Sequence, residues 1–346
     1  MKTHLNTLFV TLEGAYLRKD GAAVEIRHEG KSKLRVPLHN LEGVACFGWD
    51  ISASAALMSA CCQEQVSLSF HNPHGKFLVA ANGFTSGNIH LRRQQYRIAD
   101  EPSACLLIAS NMIAAKLSNS RNVVMRTIRD HGDKDGARKL RLEAASSAIR
   151  MDARLVAGVD TLESLRGVEG DAAAAYFSVF SDLMINHDPS IGMEGRSRRP
   201  PLDPVNALLS FCYTLLMHDC RSALEGCGLD AQCGFLHRDR PGRPSLALDL
   251  MEEFRAYIAD RTVLTLLNRR QLSTTDFKKE PSGAVVLKDD ARKKVLIAWQ
   301  ERKQDEIMHP FLQEKCTLGL LPHLQARLLA RYIRGDLDAY PAFLSR

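Results

Sequence analysis

The prediction of two domains rests on the sequence FLVAANGFTSG at residues 77–87. Before it, short apolar runs alternate with polar positions and turn residues, which is typical of strands. After it, apolar residues recur every three to four positions over long stretches, which is typical of helices. The Asn-Gly and Ser-Gly pairs within the segment favour a turn-rich connection. We therefore expect a small β-rich domain before it and a larger helical domain after it.

Strand signals continue from this segment back to the N-terminus. Lys19-Asp20-Gly21 separates two apolar runs and indicates a hairpin. The segment 52–62 starts with serine and is rich in Ala, Leu and Met, so it predicts a short helix. Asn72-Pro73-His74-Gly75 predicts a turn between the last two strands. The predicted strands span residues 8–11, 15–18, 23–26, 34–38, 41–47, 66–70 and 77–80.

Helical patterns dominate the rest of the chain. The predicted helices span residues 103–130, 139–156, 169–186, 204–224, 246–267, 291–303 and 318–332. A chain of 346 residues is long enough for two domains. The predicted fold class is α+β, with a β-sandwich-like domain at 1–84, a linker at 85–92 and an all-α catalytic domain at 93–346.

Composition restricts the function classes. Hydrophobic residues make up 45% of the chain, which is enough for a core. The formal net charge of +6 suits a phosphate-bearing partner, whereas 6% aromatic residues argue against stacking many bases. No apolar stretch at the N-terminus is long enough for a signal peptide or a membrane span, so we expect a cytoplasmic protein without membrane contact. The nine cysteines form no C-x-x-C pair and are expected to be reduced thiols rather than zinc ligands.

Three segments of the helical part carry candidate functional residues. In RGVEGD, residues 166–171, two glycines flank Glu169 where a helix is predicted to begin, which would let a ligand approach. The alternative is that the acids only favour a helix N-terminus. In residues 234–245, His237 precedes an irregular loop with Arg238, Arg240 and Arg243 that could follow a phosphodiester backbone. The alternative there is a solvated, salt-bridged loop.

The third segment is LDLMEEFR at residues 248–255. On a helix, Asp249, Glu252 and Glu253 would share one face, where a divalent cation would relieve their repulsion. The alternative is an exposed acidic face that Arg255 partly neutralises. Carboxylates together with an imidazole suit Mg²⁺ or Mn²⁺, which can polarise a phosphate. A further basic run at 196–199, with Arg196, Arg198 and Arg199, could contact DNA.

Taken in order, these segments resemble the CRISPR-associated endonuclease/integrase family of spacer acquisition, over nearly the whole chain. The resemblance is carried by RGVEG (166–170), RPPLDPVNALLS (199–210), GFLH (234–237), SLALDLMEEFR (245–255) and FKKE with GAV (277–285). It implies a Mg²⁺ or Mn²⁺ site formed by Glu169, His237 and Glu252, with Asp249 in or next to the ligand shell. The style of the motifs suggests subtype I-C.

The resemblance also implies an activity and partners. A 3′-hydroxyl of a captured fragment would attack a phosphodiester of the repeat array, and water in its place would give endonuclease activity. The family works on double-stranded DNA as a homodimer, in a complex with a dimer of a small ferredoxin-like adaptation protein. Two alternatives are a structure-specific nuclease of branched DNA in repair and a non-catalytic scaffold that organises DNA. The scaffold would bind DNA without regard to Mg²⁺ or Mn²⁺.

Overall fold

The structure is a computed structural model that describes residues 7–345, except 42, 65, 74–76, 82, 84–88, 133–134 and 187. The chain divides into two compact units, one comprising Met1–Gly87 with Asp289–Gln304 and the other Asn88–Lys288 with Asp305–Arg346. Residues 85–88 of the predicted linker and 74–75 of a predicted turn lie outside the described residues. Among the helices that are described, none is long and apolar enough to cross a membrane.

The strands of the first unit pair into two four-stranded sheets. Their bounds are β1 (Thr7–Val10), β2 (Tyr16–Asp20), β3 (Ala23–His28), β4 (Lys31–Pro37), β5 (Gly43–Phe47), β6 (Ser52–Ala53), β7 (Ser67–His71) and β8 (Phe77–Ala81). One sheet has the order β1-β5-β7-β8, and β8 is antiparallel to β7. The other has the order β4-β3-β2-β6, and β2 and β6 are parallel.

The two sheets of this unit share one hydrophobic core. Alternate side chains of β3 and β5, such as Val24, Ile26 and Val44, are buried in it together with Leu57 of helix α1 (Ala55–Gln63). Ser54 caps that helix, because its Oγ accepts a hydrogen bond from the Leu57 N–H at 3.2 Å. The predicted β-sandwich-like N-terminal region and its short helix are confirmed.

Long helices make up most of the second unit, as predicted. In chain order the helices are α2 (Ile89–Ala99), α3 (Pro102–His131), α4 (Gly136–Leu155), α5 (Leu162–Ser178), α6 (Pro204–Gly226), α7 (Ser245–Met251), α8 (Arg261–Asn268), α9 (Asp289–Lys303) and α10 (Leu321–Arg334). Helix α9 belongs to the first unit. Two short hairpins were not predicted, β9 (Phe277–Lys279) with β10 (Val285–Leu287) and β11 (Glu306–Met308) with β12 (Lys315–Thr317).

Two predicted helices differ from the structure at positions that affect the site. Helix α5 begins at Leu162, not at residue 169, because Thr161 caps it by accepting a hydrogen bond from the Ser164 N–H at 3.1 Å. Glu169 therefore lies in the middle of a helix and not in its first turn. The predicted helix 246–267 is interrupted, since α7 ends at Met251 and a π-helical stretch, Arg255–Asp260, precedes α8.

Candidate active site

Two of the predicted metal ligands meet at one lysine that the sequence reasoning missed. Lys116 lies on α3 with its side chain only 11% exposed, and its ammonium donates a hydrogen bond to Glu169 on α5. The same Nζ lies 2.6 Å from Oε2 of Glu252. Helices α3 and α5 and the segment after α7 thus bring two carboxylates to a single cation. Lys116 is the only charged residue between positions 102 and 120, and this isolation is the feature of the sequence that could have pointed to it.

Glu252 is buried but remains ionised because cations surround it. Burial by itself would raise the pKa of its carboxyl, but the charges of Arg255, Lys116 and His237 outweigh that effect and lower it to about 2. Arg255 Nη1 donates to Oε1 at 2.6 Å, and its guanidinium stacks on the Tyr213 ring at 4.2 Å. The Oε2 atom facing Lys116 makes no hydrogen bond of good geometry. This carboxylate is therefore charged, and each of its oxygens faces a cation, Oε1 the Arg255 guanidinium and Oε2 the Lys116 ammonium.

Asp249 fixes the orientation of the His237 ring. Its fully buried carboxylate accepts hydrogen bonds from the backbone N–H groups of Phe235 (2.6 Å), Leu236 (2.9 Å) and His237 (3.0 Å). The other contact of Oδ1 is with the His237 ring at Nδ1, 2.5 Å away. Since a carboxylate only accepts, Nδ1 carries a proton, and in the neutral imidazole the lone pair is therefore on Nε2. Asp249 is thus a positioning residue behind His237, in the way that carboxylates orient metal-binding histidines.

Gly234 allows this close packing of the GFLH segment on α7. A Cβ at this position would lie 2.8 Å from Oδ2 of Asp249, 2.8 Å from Cβ of Ser245 and 2.9 Å from the Ser245 carbonyl carbon. Only glycine fits there. On the other side of the segment, the Arg166 guanidinium donates two hydrogen bonds to the Leu236 carbonyl, one of them at 3.1 Å. The RGVEG and GFLH motifs are therefore in direct contact.

The third acid of the predicted cluster lies elsewhere. Glu253 is fully buried and accepts hydrogen bonds from the Phe343 N–H (2.7 Å), Gln325 Nε2 (3.0 Å) and the Tyr340 hydroxyl (2.5 Å). Burial raises the pKa of Glu253 to about 7. The expectation that three acids share one helix face was wrong because α7 ends between Asp249 and Glu252. Glu253 holds the C-terminal segment in place.

The six candidate DNA-binding arginines fall into two groups. Arg196 is held internally, because it donates to Asn206 Oδ1 at 2.6 Å and lies over the rings of Phe177 (5.8 Å) and Tyr213 (5.5 Å). That makes it a packing residue. The exposed members are Arg198, Arg199, Arg238 and Arg240, and Arg243 is half-buried.

Part of the second group is close in space. Partial burial lowers the pKa of the Arg243 guanidinium, and the charges of Arg240 and Arg199 lower it further. Arg199, Arg240 and Arg243 therefore lie close enough for their charges to interact. Arg238 differs from these arginines because it forms an ion pair with Glu163, at 3.2 Å, on the exposed side of α5.

A pocket that the sequence did not predict lies beside Lys116 and Arg255, the two cations that contact Glu252. Its lining includes Lys116, Arg198 and Arg255 together with the aromatic rings of Tyr176 and Tyr213. The hydroxyl groups of these two tyrosines donate to Asp260, at 3.0 and 2.6 Å, and burial raises the pKa of the Asp260 carboxyl to about 6. This buried network fixes one wall of the pocket.

The side chains around Lys116 fit a divalent cation in part. Glu169 and Glu252 already converge on one positive charge, and Glu252 has an oxygen without a well-formed hydrogen bond. Oxygen ligands and a neutral imidazole are what Mg²⁺ and Mn²⁺ bind. Over the part of the chain that the structure describes, however, no group of three His, Cys, Asp or Glu side chains is placed so that it could hold a metal ion. His237 would complete the set through Nε2.

Comparison with known proteins places this site in a family. The family model for CRISPR associated protein Cas1 matches residues 8–301. A protein from Chlorobaculum tepidum, named CRISPR-associated endonuclease Cas1 1, is 53% identical over 348 residues, and the match covers 100% of both chains. The chain belongs to the Cas1 family of CRISPR-associated proteins. The family resemblance read from the motifs is confirmed, and subtype I-C stays a prediction.

Solved structures share the Cas1 fold of this chain. A casposase bound to integration product superposes with a TM-score of 0.81 at 22% identity, over 97% of this chain and 93% of that one. A Cas6-RT-Cas1–Cas2 complex gives a TM-score of 0.82 at 21% identity, over 100% of this chain and 37% of that one. At these identities the likeness shows the fold alone.

Proposed function

We propose that this Cas1 family member is a divalent-metal-dependent DNA endonuclease and integrase that inserts captured fragments into a CRISPR repeat array. The observation that carries the proposal is the convergence of Glu169 and Glu252 on one cation, beside a histidine whose Nδ1 is held by Asp249. The relative from Chlorobaculum tepidum is named an endonuclease, and the match to it covers the whole chain.

Glu169, Glu252 and His237 would hold Mg²⁺ or Mn²⁺ in this arrangement. When bound, the metal would polarise a phosphate oxygen and make an attacking hydroxyl or water more acidic. In joining, the 3′-hydroxyl oxygen of the fragment bonds to phosphorus while the bond from that phosphorus to an array 3′-oxygen breaks. One phosphodiester replaces another, so no nucleotide cofactor is required. Hydrolysis follows the same course with water as the nucleophile.

The chain's own residues supply orientation and substrate contacts. Arg255 keeps the Glu252 carboxylate charged and fixed, and Asp249 holds the proton of the neutral His237 ring on Nδ1, so that Nε2 is the nitrogen that would face a metal. Arg199, Arg240 and Arg243 would contact the DNA backbone, where they give affinity without reading sequence. From the resemblance to the spacer-acquisition family we also propose a homodimer that works with a small ferredoxin-like partner.

The test is transfer of a labelled duplex with free 3′-hydroxyl ends into a supercoiled plasmid that carries a repeat array. Reactions contain Mn²⁺, Mg²⁺ or chelator, with and without the small partner. We expect transfer by the wild type only with metal, and none by His237→Ala or Glu169→Gln. Glu143→Gln makes the same chemical change at an exposed acid on α4 and should leave the rate unchanged.

The other outcomes separate the alternatives. Metal-dependent nicking without transfer, even with the partner present, would favour the structure-specific nuclease of branched DNA. DNA binding that is indifferent to metal, with neither nicking nor transfer, would favour the scaffold. Full activity of Glu169→Gln and His237→Ala would remove the assignment of these residues.

A further inference from the structure

Lys116 is an unusual residue for its surroundings. It is the only charged residue over positions 102–120 of α3, and its neighbours Ala115 and Leu117 are buried. A desolvated ammonium is costly unless carboxylates compensate for its charge. Two carboxylates provide that compensation: Glu169 accepts a hydrogen bond from the ammonium, and Glu252 forms an ion pair with it at 2.6 Å. The lysine is therefore held by the same two carboxylates that the proposed function assigns to the metal.

The charges around this point balance without a metal. Lys116 and Arg255 contribute two positive charges, and Glu169 and Glu252 contribute two negative charges. A divalent ion added to this set would leave it with two excess positive charges in a largely buried place. The ion would also need the oxygens that the ammonium now occupies, since Mg²⁺–oxygen bonds are about 2.0–2.1 Å long. The ammonium and the metal cannot both lie between the two carboxylates.

We propose that Lys116 is a placeholder for the metal: its ammonium neutralises Glu169 and Glu252 in the metal-free protein and has to leave when the ion binds. The proposal rests on the metal site of the proposed function and adds a competitor to it. Lys116 thereby keeps the carboxylates together before metal arrives and weakens the affinity for the ion. Lys116 also lines the adjoining pocket, together with Asp260.

The test is a direct measurement of Mn²⁺ binding by calorimetry on the full chain. Lys116→Met keeps the length of the side chain and removes the competitor, so we expect Mn²⁺ to bind at least about tenfold more tightly than to wild type. Lys116→Arg keeps the charge and should bind no more tightly than wild type. Lys279→Met lowers the net charge equally at an exposed position of β9 and should bind within about twofold of wild type.

Unfolding temperatures give a second measurement. In chelator, Lys116→Met leaves Glu169 without its ion-pair partner and Glu252 with Arg255 alone, so the variant should unfold at a lower temperature than wild type, and saturating Mn²⁺ should remove the difference. If Lys116→Met alone fails to fold, Lys116→Met with Glu169→Gln restores the charge balance and should recover folding in chelator. If Lys116→Met instead unfolds at the wild-type temperature in chelator, the proposal is wrong.

The outcomes separate this proposal from the proposed function. If Glu169→Gln and His237→Ala bind Mn²⁺ as wild type does, the metal site itself is wrong. If those variants lose Mn²⁺ while Lys116→Met binds it no more tightly than wild type, the site stands and Lys116 is not a competitor. Tighter binding by Lys116→Met but not by Lys116→Arg or Lys279→Met supports the placeholder.

Discussion

Asp249→Asn tests whether a buried carboxylate sets the tautomer of His237. The substitution keeps the shape but leaves one acceptor oxygen where the carboxylate has two. That oxygen is best placed at Oδ2, which receives the N–H groups of Phe235 and Leu236 at 2.6 and 2.9 Å. The amide NH₂ then faces Nδ1 of His237 and can donate to it only if the imidazole proton moves to Nε2. A protonated Nε2 has no lone pair for a metal.

The magnitude follows from these contacts. A hydrogen bond to a charged group contributes about 1.5–3 kcal/mol against about 0.5–1.5 kcal/mol for a neutral one. Weakening two such bonds and setting the NH₂ against the His237 N–H should lower the free energy of unfolding by about 2–4 kcal/mol. For a unit of this size the unfolding temperature should fall by about 5–10 °C. Because groups behind a metal ligand contribute about 10–100-fold, Mn²⁺ affinity and transfer rate should fall in that range.

The assays are Mn²⁺ calorimetry, thermal unfolding and label transfer, each compared with Asp160→Asn at an exposed position before α5. Asp160→Asn should match wild type in all three. If Asp249→Asn loses stability but binds Mn²⁺ and transfers label at the wild-type level, Asp249 supports only the fold. The reasoning about the tautomer would then be refuted.

Three further predictions follow from other contacts. Gly234→Ala should lower the free energy of unfolding by about 1–3 kcal/mol and slow the transfer of label into the plasmid. Gly192→Ala, which has open space around its Cβ, should do neither, and equal urea midpoints for the two variants would contradict the prediction. Burial raises the pKa of Glu253 from 4.5 to about 7, so the folded chain binds the proton more tightly and the free energy of unfolding falls as the pH rises through that window. This fall should be about 3 kcal/mol by urea unfolding between about pH 5 and pH 8, and it should disappear in Glu253→Gln. An unchanged pH dependence in that variant would count against the prediction. Arg240→Ala with Arg243→Ala should weaken DNA binding and make its salt dependence less steep by about two in log–log slope; an unchanged slope in titrations at several salt concentrations would exclude these side chains as phosphate contacts.

Features that depend on periodicity and local turns could be predicted from the sequence. The change near residues 77–87 marks where strands give way to long helices, and the structure confirms the helix start predicted at Pro204. The short helix predicted from Ser52 begins instead at Ala55, after the N-cap Ser54. The predicted start of α5 was wrong because it relied on Gly167 and Gly170, whereas the N-cap residue is Thr161. The two hairpins were missed because strands of three residues leave almost no alternation to detect.

The site shows a different limit, which concerns partners distant in sequence. Glu169 and Glu252 could be named from motifs, but Lys116 lies 53 residues before the first of them on another helix. A lone lysine in an apolar stretch signals that some carboxylate must face it, but the stretch does not say which one. The apolar stretch around Lys116 could therefore identify it as a buried cation, while only the packing of α3 against α5 shows which carboxylates it contacts.

The segment from Asp249 to Glu253 explains why spacing alone predicted a shared metal face. Continuous helix would point all three acids one way, but α7 ends at Met251, between the first acid and the other two. Asp249 then binds the GFLH segment, Glu252 faces Lys116 and Arg255, and Glu253 binds the C-terminal segment. One short stretch thus fixes the histidine, one carboxylate of the proposed metal site and the chain end that packs beside it. Because the three anchors lie within five residues of the backbone, a strain at any one of them is transmitted to the other two, and Glu253→Gln should be checked for Mn²⁺ affinity as well as for stability. An affinity change in that variant, at a residue that touches no ligand of the proposed site, would show that the interruption after α7 couples the C-terminal segment to the metal.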